Sequence, residues 1–209
     1  MTIVENNGTV SRPRGRPRAF DRDEALGKAA ETFWRLGYEG ASIADLTAMM
    51  GITPQSLYAA FTSKADLYRE ALAWYQAHIG ASTTRALEES DVVKALTRML
   101  NDSSREFTRP DQPHGCMVST AVLTCAVENE PVASHVASLR NETLGVLQER
   151  IERGIAEKQL KRSTNAAALA RFVGAMIQGM SVQAQDGASR SDLSAMTDLA
   201  IAEIERHRT

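Results

Sequence analysis

Aromatic residues make up only 5 % of this 209-residue chain, although 43 % of it is hydrophobic. A core built from it is therefore expected to be mostly aliphatic, with alanine and methionine filling the remainder. Two cysteines, Cys116 and Cys125, are too few for a disulfide framework. No apolar run approaches the roughly 20 residues needed to cross a bilayer, and the first residues lack the apolar stretch of a secretory leader. These absences predict a soluble, cytoplasmic protein with no membrane partner. The four histidines (His78, His114, His135, His207) share no metal-ligand spacing with one another or with the cysteines. Neither a phosphate-cradling glycine loop nor a local nucleophile signature occurs. No metal, cofactor or catalytic residue is expected, and the chain reads as a non-enzyme.

Positive charge is present but unevenly placed. The formal net charge is -2, yet residues 1–20 carry Arg12, Arg14, Arg16 and Arg18 against Glu5 alone, a local charge of +3 (four minus one). The stretch "SRPRGRPRAF" alternates arginine with proline and glycine, so it cannot pack as a helix. It reads as a basic arm over residues 1–19, with one contact surface for nucleic acid at one end of an otherwise mildly acidic chain.

From Asp21 onward the apolar spacing is helical. Asp21 with Glu24 opens a first helix with Leu26, Ala29, Ala30 and Phe33 on one face, and "GYEG" (Gly37 to Gly40) stops it. Ser42 with Asp45 caps a second, carrying Ile43, Leu46, Met49 and Met50, and Gly51 ends it. Thr53 caps a third, two-turn helix with Pro54 at its first position. Ser63 with Asp66 caps a fourth, "KADLYREALAWYQAHIG". Short helix, glycine turn, short helix is a helix-turn-helix pattern.

Longer helical periods follow. "DVVKALTRMLNDSSREF" is stopped by the two prolines of "TRPDQPHG", and "CMVSTAVLTCAVE" predicts a short helix. Pro131 opens a long helix to about Glu157. Ser163 or Thr164 is expected to cap "NAAALARFVGAMIQGMSVQAQDG", and Ser191 the final helix. No hairpin signal appears, so the expected fold is all-α: a three-helix helix-turn-helix unit over 20–66 and a larger helical domain over 67–209.

Residues 42–64, "SIADLTAMMGITPQSLYAAFTSK", resemble the DNA-binding domain of the TetR family of transcriptional regulators. The resemblance rests on Ser42, Gly51, Leu57-Tyr58, Phe61 and Lys64 in register. It implies a homodimeric regulator, most simply a repressor, released from a palindromic double-stranded DNA operator by a small-molecule inducer. It assigns Ser42, Thr53, Tyr58 and Lys64 to phosphates, which suits hydroxyls and a lysine near helix N-termini. Leu57, Ala60 and Phe61 share the inward face of the short helix, leaving Pro54, Gln55, Ser56, Tyr58 and Ala59 for DNA. Gln55 can pair with adenine, and the Ala59 methyl can meet a thymine methyl. Pro13-Arg14-Gly15-Arg16-Pro17 resembles an AT-hook core, with Arg14 and Arg16 entering an A·T-rich minor groove; its plainer reading is a mobile tail drawn to phosphates.

In the larger domain the resemblance implies a ligand pocket whose occupation moves helix four. Trp74, Phe107, Met117, Ala121, Phe172 and Met176 are the expected liners, and scarce interior charge suggests an uncharged or weakly polar inducer. Ala170, Gly174, Ser181, Met196 and Ala200 are expected to pair the last two helices across a two-fold axis. Two alternatives stay open: a thiol sensor at Cys116, and an architectural binder of A·T-rich DNA without ligand control.

Overall fold

The computed structural model describes residues 20–81 and 85–209. Eight α-helices and no named strand lie among them: α1 (Arg22–Gly40), α2 (Ile43–Met50), α3 (Pro54–Ala60), α4 (Lys64–His78), α5 (Val92–Phe107), α6 (Glu130–Ala156), α7 (Ala166–Gln185) and α8 (Arg190–Arg206). The basic arm of residues 1–19, with Arg14 and Arg16, lies outside the described residues.

The first four helices begin where the sequence places their caps. Asp21 Oδ1 accepts from the backbone N–H groups of Asp23 and Glu24 at 2.8 and 3.2 Å. Ser42 and Asp45 form a reciprocal capping box. Thr53 Oγ1 and Ser63 Oγ accept from the N–H groups of Ser56 and Asp66 at 3.1 and 3.0 Å. Each cap satisfies donors that the first turn leaves unpaired. Gly51 ends α2 at φ 69°, left-handed backbone that favours glycine. Gly37, at φ 71°, breaks the helical course of α1 before its end.

Two apolar cores result. In the first, α1 packs against α2 and α4, and Leu46, Leu57, Phe61, Leu67 and Leu72 are buried. This core is not the aliphatic one expected. Phe33, Tyr38 and Tyr68 form a ring cluster with centroids 4.8–6.3 Å apart, and Trp34 meets Tyr75 edge-on at 5.0 Å. The second core, between α5, α6, α7 and α8, does fit the expectation. Its buried side chains are Leu, Ile, Val, Ala and Met, with Phe107 as its one buried aromatic.

Three local expectations fail. Residues 116–126 form turns rather than a helix. Val118 and Ala121 give their carbonyls to the Arg140 guanidinium at 3.2 and 2.9 Å, and Val118 keeps only a long turn bond from Ala121 N–H at 3.4 Å. Val118, Thr120 and Val122 are β-branched, and Val122 sits at φ 47°. Gly115 before them holds φ 76°, and a Cβ there would lie 2.7 Å from the Ser181 carbonyl oxygen. Second, α7 is capped by Asn165, whose Oδ1 accepts from Ala168 N–H at 3.0 Å; the Thr164 hydroxyl turns instead to His207. Third, Ser189 rather than Ser191 caps α8, in a capping box with Asp192.

Candidate DNA-reading helix and ligand cavity

α3 is anchored from below and open above. Leu57 and Phe61 are fully buried, while Gln55 and Ala59 are exposed and Tyr58 is 51 % exposed. Ser56 is half-buried, its hydroxyl 3.0 Å from that of Thr53. The outward face is therefore uncharged and, apart from Tyr58, made of short side chains and Gln55, on a single helix that a groove about 12 Å wide can admit. Ser42 and Thr53 are exposed at the starts of α2 and α3. Ser42 Oγ donates to Asp45 Oδ2 at 2.6 Å, which places a carboxylate beside that hydroxyl.

Lys64 sits at the start of α4, with its Nζ 4.6 Å above the Tyr38 ring. Burial pushes its pKa below the ordinary lysine value, and Glu39 opposes that shift. Glu39 itself was not singled out by any sequence signal. Its Oε1 accepts from Asn129 Nδ2 at 2.8 Å and Ala126 N–H at 3.1 Å. The Asn129 side chain first, then the backbone N–H, hold its carboxyl below the usual range. The end of α1 is thereby tied to the segment leading into α6.

Two cavities flank α4. The smaller, about 150 Å³, lies between α4, α5, α6 and α7, with Tyr75, Ile79, Met99, Phe107, Leu144 and Ile177 among its apolar walls. The larger and more open, about 620 Å³, lies between α1 and the 113–122 segment. Phe107 lines the first; Met117 and Ala121 line the second. Trp74, Phe172 and Met176 line neither. Trp74 stacks on His78 at 4.3 Å, donates to Asp23 at 3.0 Å and covers Gly27, so it braces α1 against α4. Phe172 and Met176 are partly buried beside the second core. The expectation of an uncharged interior also changes, because Glu106 and Arg140 both reach the smaller cavity.

Cys116 lies on the wall of both cavities and touches both cores. It is half-buried. Its N–H donates to Ser181 Oγ at 2.8 Å, and its Sγ accepts from Val118 N–H at 3.4 Å. Cys125 is also free. No cluster of potential metal ligands occurs among the described residues, and no helix among them is long and apolar enough to cross a membrane.

Four of the five residues expected to pair across a two-fold axis face inward in the single chain. Ala170, Ser181 and Ala200 are at most 1 % exposed within the single chain, so they pack inward. Gly174 is buried too, and a Cβ there would come within 2.5 Å of Leu144. These small residues let helices of one chain approach one another. The open sides of α7 and α8 carry Val182, 43 % exposed, and Leu199, 76 % exposed, with Met196 half-buried.

This geometry agrees with what known proteins show. The family model described as "Bacterial regulatory proteins, tetR family" matches residues 25–71. "Tetracyclin repressor-like, C-terminal domain" matches residues 92–198. The chain is 35 % identical over 192 residues to the HTH-type transcriptional repressor ComR of Escherichia coli (strain K12), covering 91 % of each chain. It is 29 % identical over 197 residues to the repressor BdcR of the same organism, covering 91 % of this chain and 92 % of that one. Among solved structures, a cysteine mutant of the TetR family regulator CifR, complexed with 26-bp double-strand operator DNA, is 41 % identical with a TM-score of 0.87. That match covers 90 % of this chain and 98 % of CifR. A helix-turn-helix with an anchored, open third helix and matches over both halves of the chain leave one conclusion: this chain belongs to the TetR family of DNA-binding transcriptional regulators.

Proposed function

We propose that the chain is a homodimeric repressor that reads a palindromic operator with α3 and leaves it when a small molecule fills the cavity beside α4. The observation that carries this is α3 itself: Leu57 and Phe61 fix it to the core while Gln55, Tyr58 and Ala59 face outward. Gln55 and Ala59 would meet base edges, and Ser42, Thr53, Tyr58 and Lys64 the phosphates. Pro54 and Ser56 would border the contact, and Arg14 and Arg16 of the arm would enter the adjacent minor groove. The named functions of ComR and BdcR, both repressors, support this direction of control.

The two-fold partner would pack on the open sides of α7 and α8, around Val182, Met196 and Leu199. Two copies of α3 would then address half-sites about one helical turn apart. Control would run through α4, which lends Tyr75, Gln76 and Ile79 to the cavity wall and carries Lys64 at its other end. A ligand shifts this equilibrium only by preferring the form that cannot hold DNA. Selection of bound sequences from random DNA tests the reading. A two-fold symmetric site supports it; enrichment of A·T-rich DNA without symmetry overturns it in favour of an architectural binder.

A further inference from the structure

We infer that the ligand of the cavity between α4 and α7 is a small organic monocarboxylate, anchored by Arg140. The inference rests on reading that cavity as the control site. Arg140 lies within α6, half-buried, and reaches the cavity wall. Its Nη1 donates to the carbonyls of Val118 and Ala121 at 3.2 and 2.9 Å. A guanidinium has five N–H donors in a planar fork, so one edge remains for another acceptor. No carboxylate among the described residues lies within ion-pair distance of it. The residues three and four positions away on its own helix are Val136, Ala137, Thr143 and Leu144, all uncharged.

Glu106 is the other charged side chain on this wall, and its charge is already met by Arg109 at 3.3 Å and Arg105 at 3.5 Å. The cavity thus presents one uncompensated cation within mainly apolar walls. A carboxylate offers that fork two parallel acceptors, the arrangement arginine binds most strongly. A phosphate would bring a second charge with no second cation to meet it, and no apolar body for Tyr75, Met99, Phe107 and Ile177 to enclose. A cavity of this volume accommodates a body of about the size of a benzene ring.

Arg140 also supplies a route to DNA. The carbonyls it holds belong to the 116–122 segment, whose Met117 is buried in the first core with α1 and α4. A carboxylate on the free edge draws the same guanidinium toward the cavity and away from the Val118 and Ala121 carbonyls. Occupation therefore loosens a brace between the cavity and the helix-turn-helix side.

The test measures thermal shift and calorimetric binding with two matched pairs, benzoate against benzamide and hexanoate against hexanamide. Each acid should bind at least about tenfold more tightly than its amide, the scale of a hydrogen bond to a charged group. In Arg140→Gln that preference should vanish while amide binding persists. Should Arg140→Gln fail to fold, Arg140→Lys keeps the charge without the planar fork, and the acid preference should fall severalfold without disappearing. Equal binding of acids and amides, an undiminished preference in the variants, or no binding by either acid overturns the proposal. Operator binding by the same ligand-free preparations separates the two claims: if it is present, the regulator reading stands although the carboxylate one has failed.

Discussion

The chain up to Tyr75 and the chain beyond it are held together differently. Nine of the eleven aromatic residues lie between Phe20 and Tyr75, and only Phe107 and Phe172 follow. The first core packs rings at fixed angles around Phe33, Tyr38 and Tyr68, whereas the second interleaves aliphatic side chains. A DNA-binding unit needs one geometry, because under the proposed reading α3 and Lys64 meet the duplex in register; rigid rings and side-chain caps supply it. An aliphatic core with methionine tolerates repacking, which suits the ligand-accommodating role proposed for this region.

The largest effect should come from disturbing the rigid half. Phe61→Ala removes a side chain that is 1 % exposed and lies beneath the Arg22 guanidinium at 4.7 Å. A loss of about 3–5 kcal/mol is expected from urea unfolding, with operator binding abolished at ordinary protein concentrations. Ile151→Val in the aliphatic core should cost only about 0.5–1.5 kcal/mol and leave operator binding in place. Because the two substitutions remove different numbers of atoms, operator binding is the readout that compares the cores: its loss in Ile151→Val would remove the distinction between them.

The second effect separates the inner from the outer face of α7 and α8. Leu199→Glu places a charge on the open side of α8 without touching the core, so it should yield folded monomers by ultracentrifugation and much weaker operator binding. Gly174→Ala changes the inner face, where Leu144 can rotate away, and should leave the dimer intact. A dimer that survives Leu199→Glu would move the pairing face elsewhere.

These two faces also mark where the sequence stops being legible. Spacing and caps predict α1 to α4 nearly residue by residue, because Asp21, Ser42, Thr53 and Ser63 act locally. In α7, by contrast, the stripe Ala170, Gly174, Ser181 has the same spacing whether it meets a partner or its own chain. Only the packing of Leu144 against Gly174, and of the 115–116 backbone against Ser181, shows which. The turns at 116–126 were hidden for a related reason. Their carbonyl partner, Arg140, lies at least 19 residues away in sequence. Likewise Glu39 bonds to residues about 90 positions on, a distance no local pattern reports.

A third, smaller effect lies within the DNA-reading face. Gln55→Ala should relax preference at one base pair by about 1–3 kcal/mol, measured by titrating operator variants. Tyr58→Phe should weaken all operators alike, because a phosphate contact carries no sequence information. A uniform loss for both variants would place Gln55 on the backbone rather than in the groove.

The smallest effect concerns the hydrogen bonds joining the two halves. The Glu39 carboxylate accepts from Asn129 Nδ2 and Ala126 N–H, and these bonds hold its pKa below the ordinary carboxylate value, the Asn129 side chain contributing most. A depressed carboxyl pKa means that the unfolded chain binds the proton more readily than the folded one. The stabilisation is therefore present above the ordinary carboxylate pKa and is lost as pH falls through the lower, folded value. Because the group is at the surface, the contribution is small and sensitive to salt. Glu39→Gln removes the charge at every pH, so its stability relative to wild type should be lowest near neutrality and should converge on wild type in acid. The readout is the difference in melting temperature between the two proteins across a pH series. A difference that stays constant down through the acid range would mean that Glu39 titrates no differently in the folded chain. The join between the halves would then owe nothing to its charge.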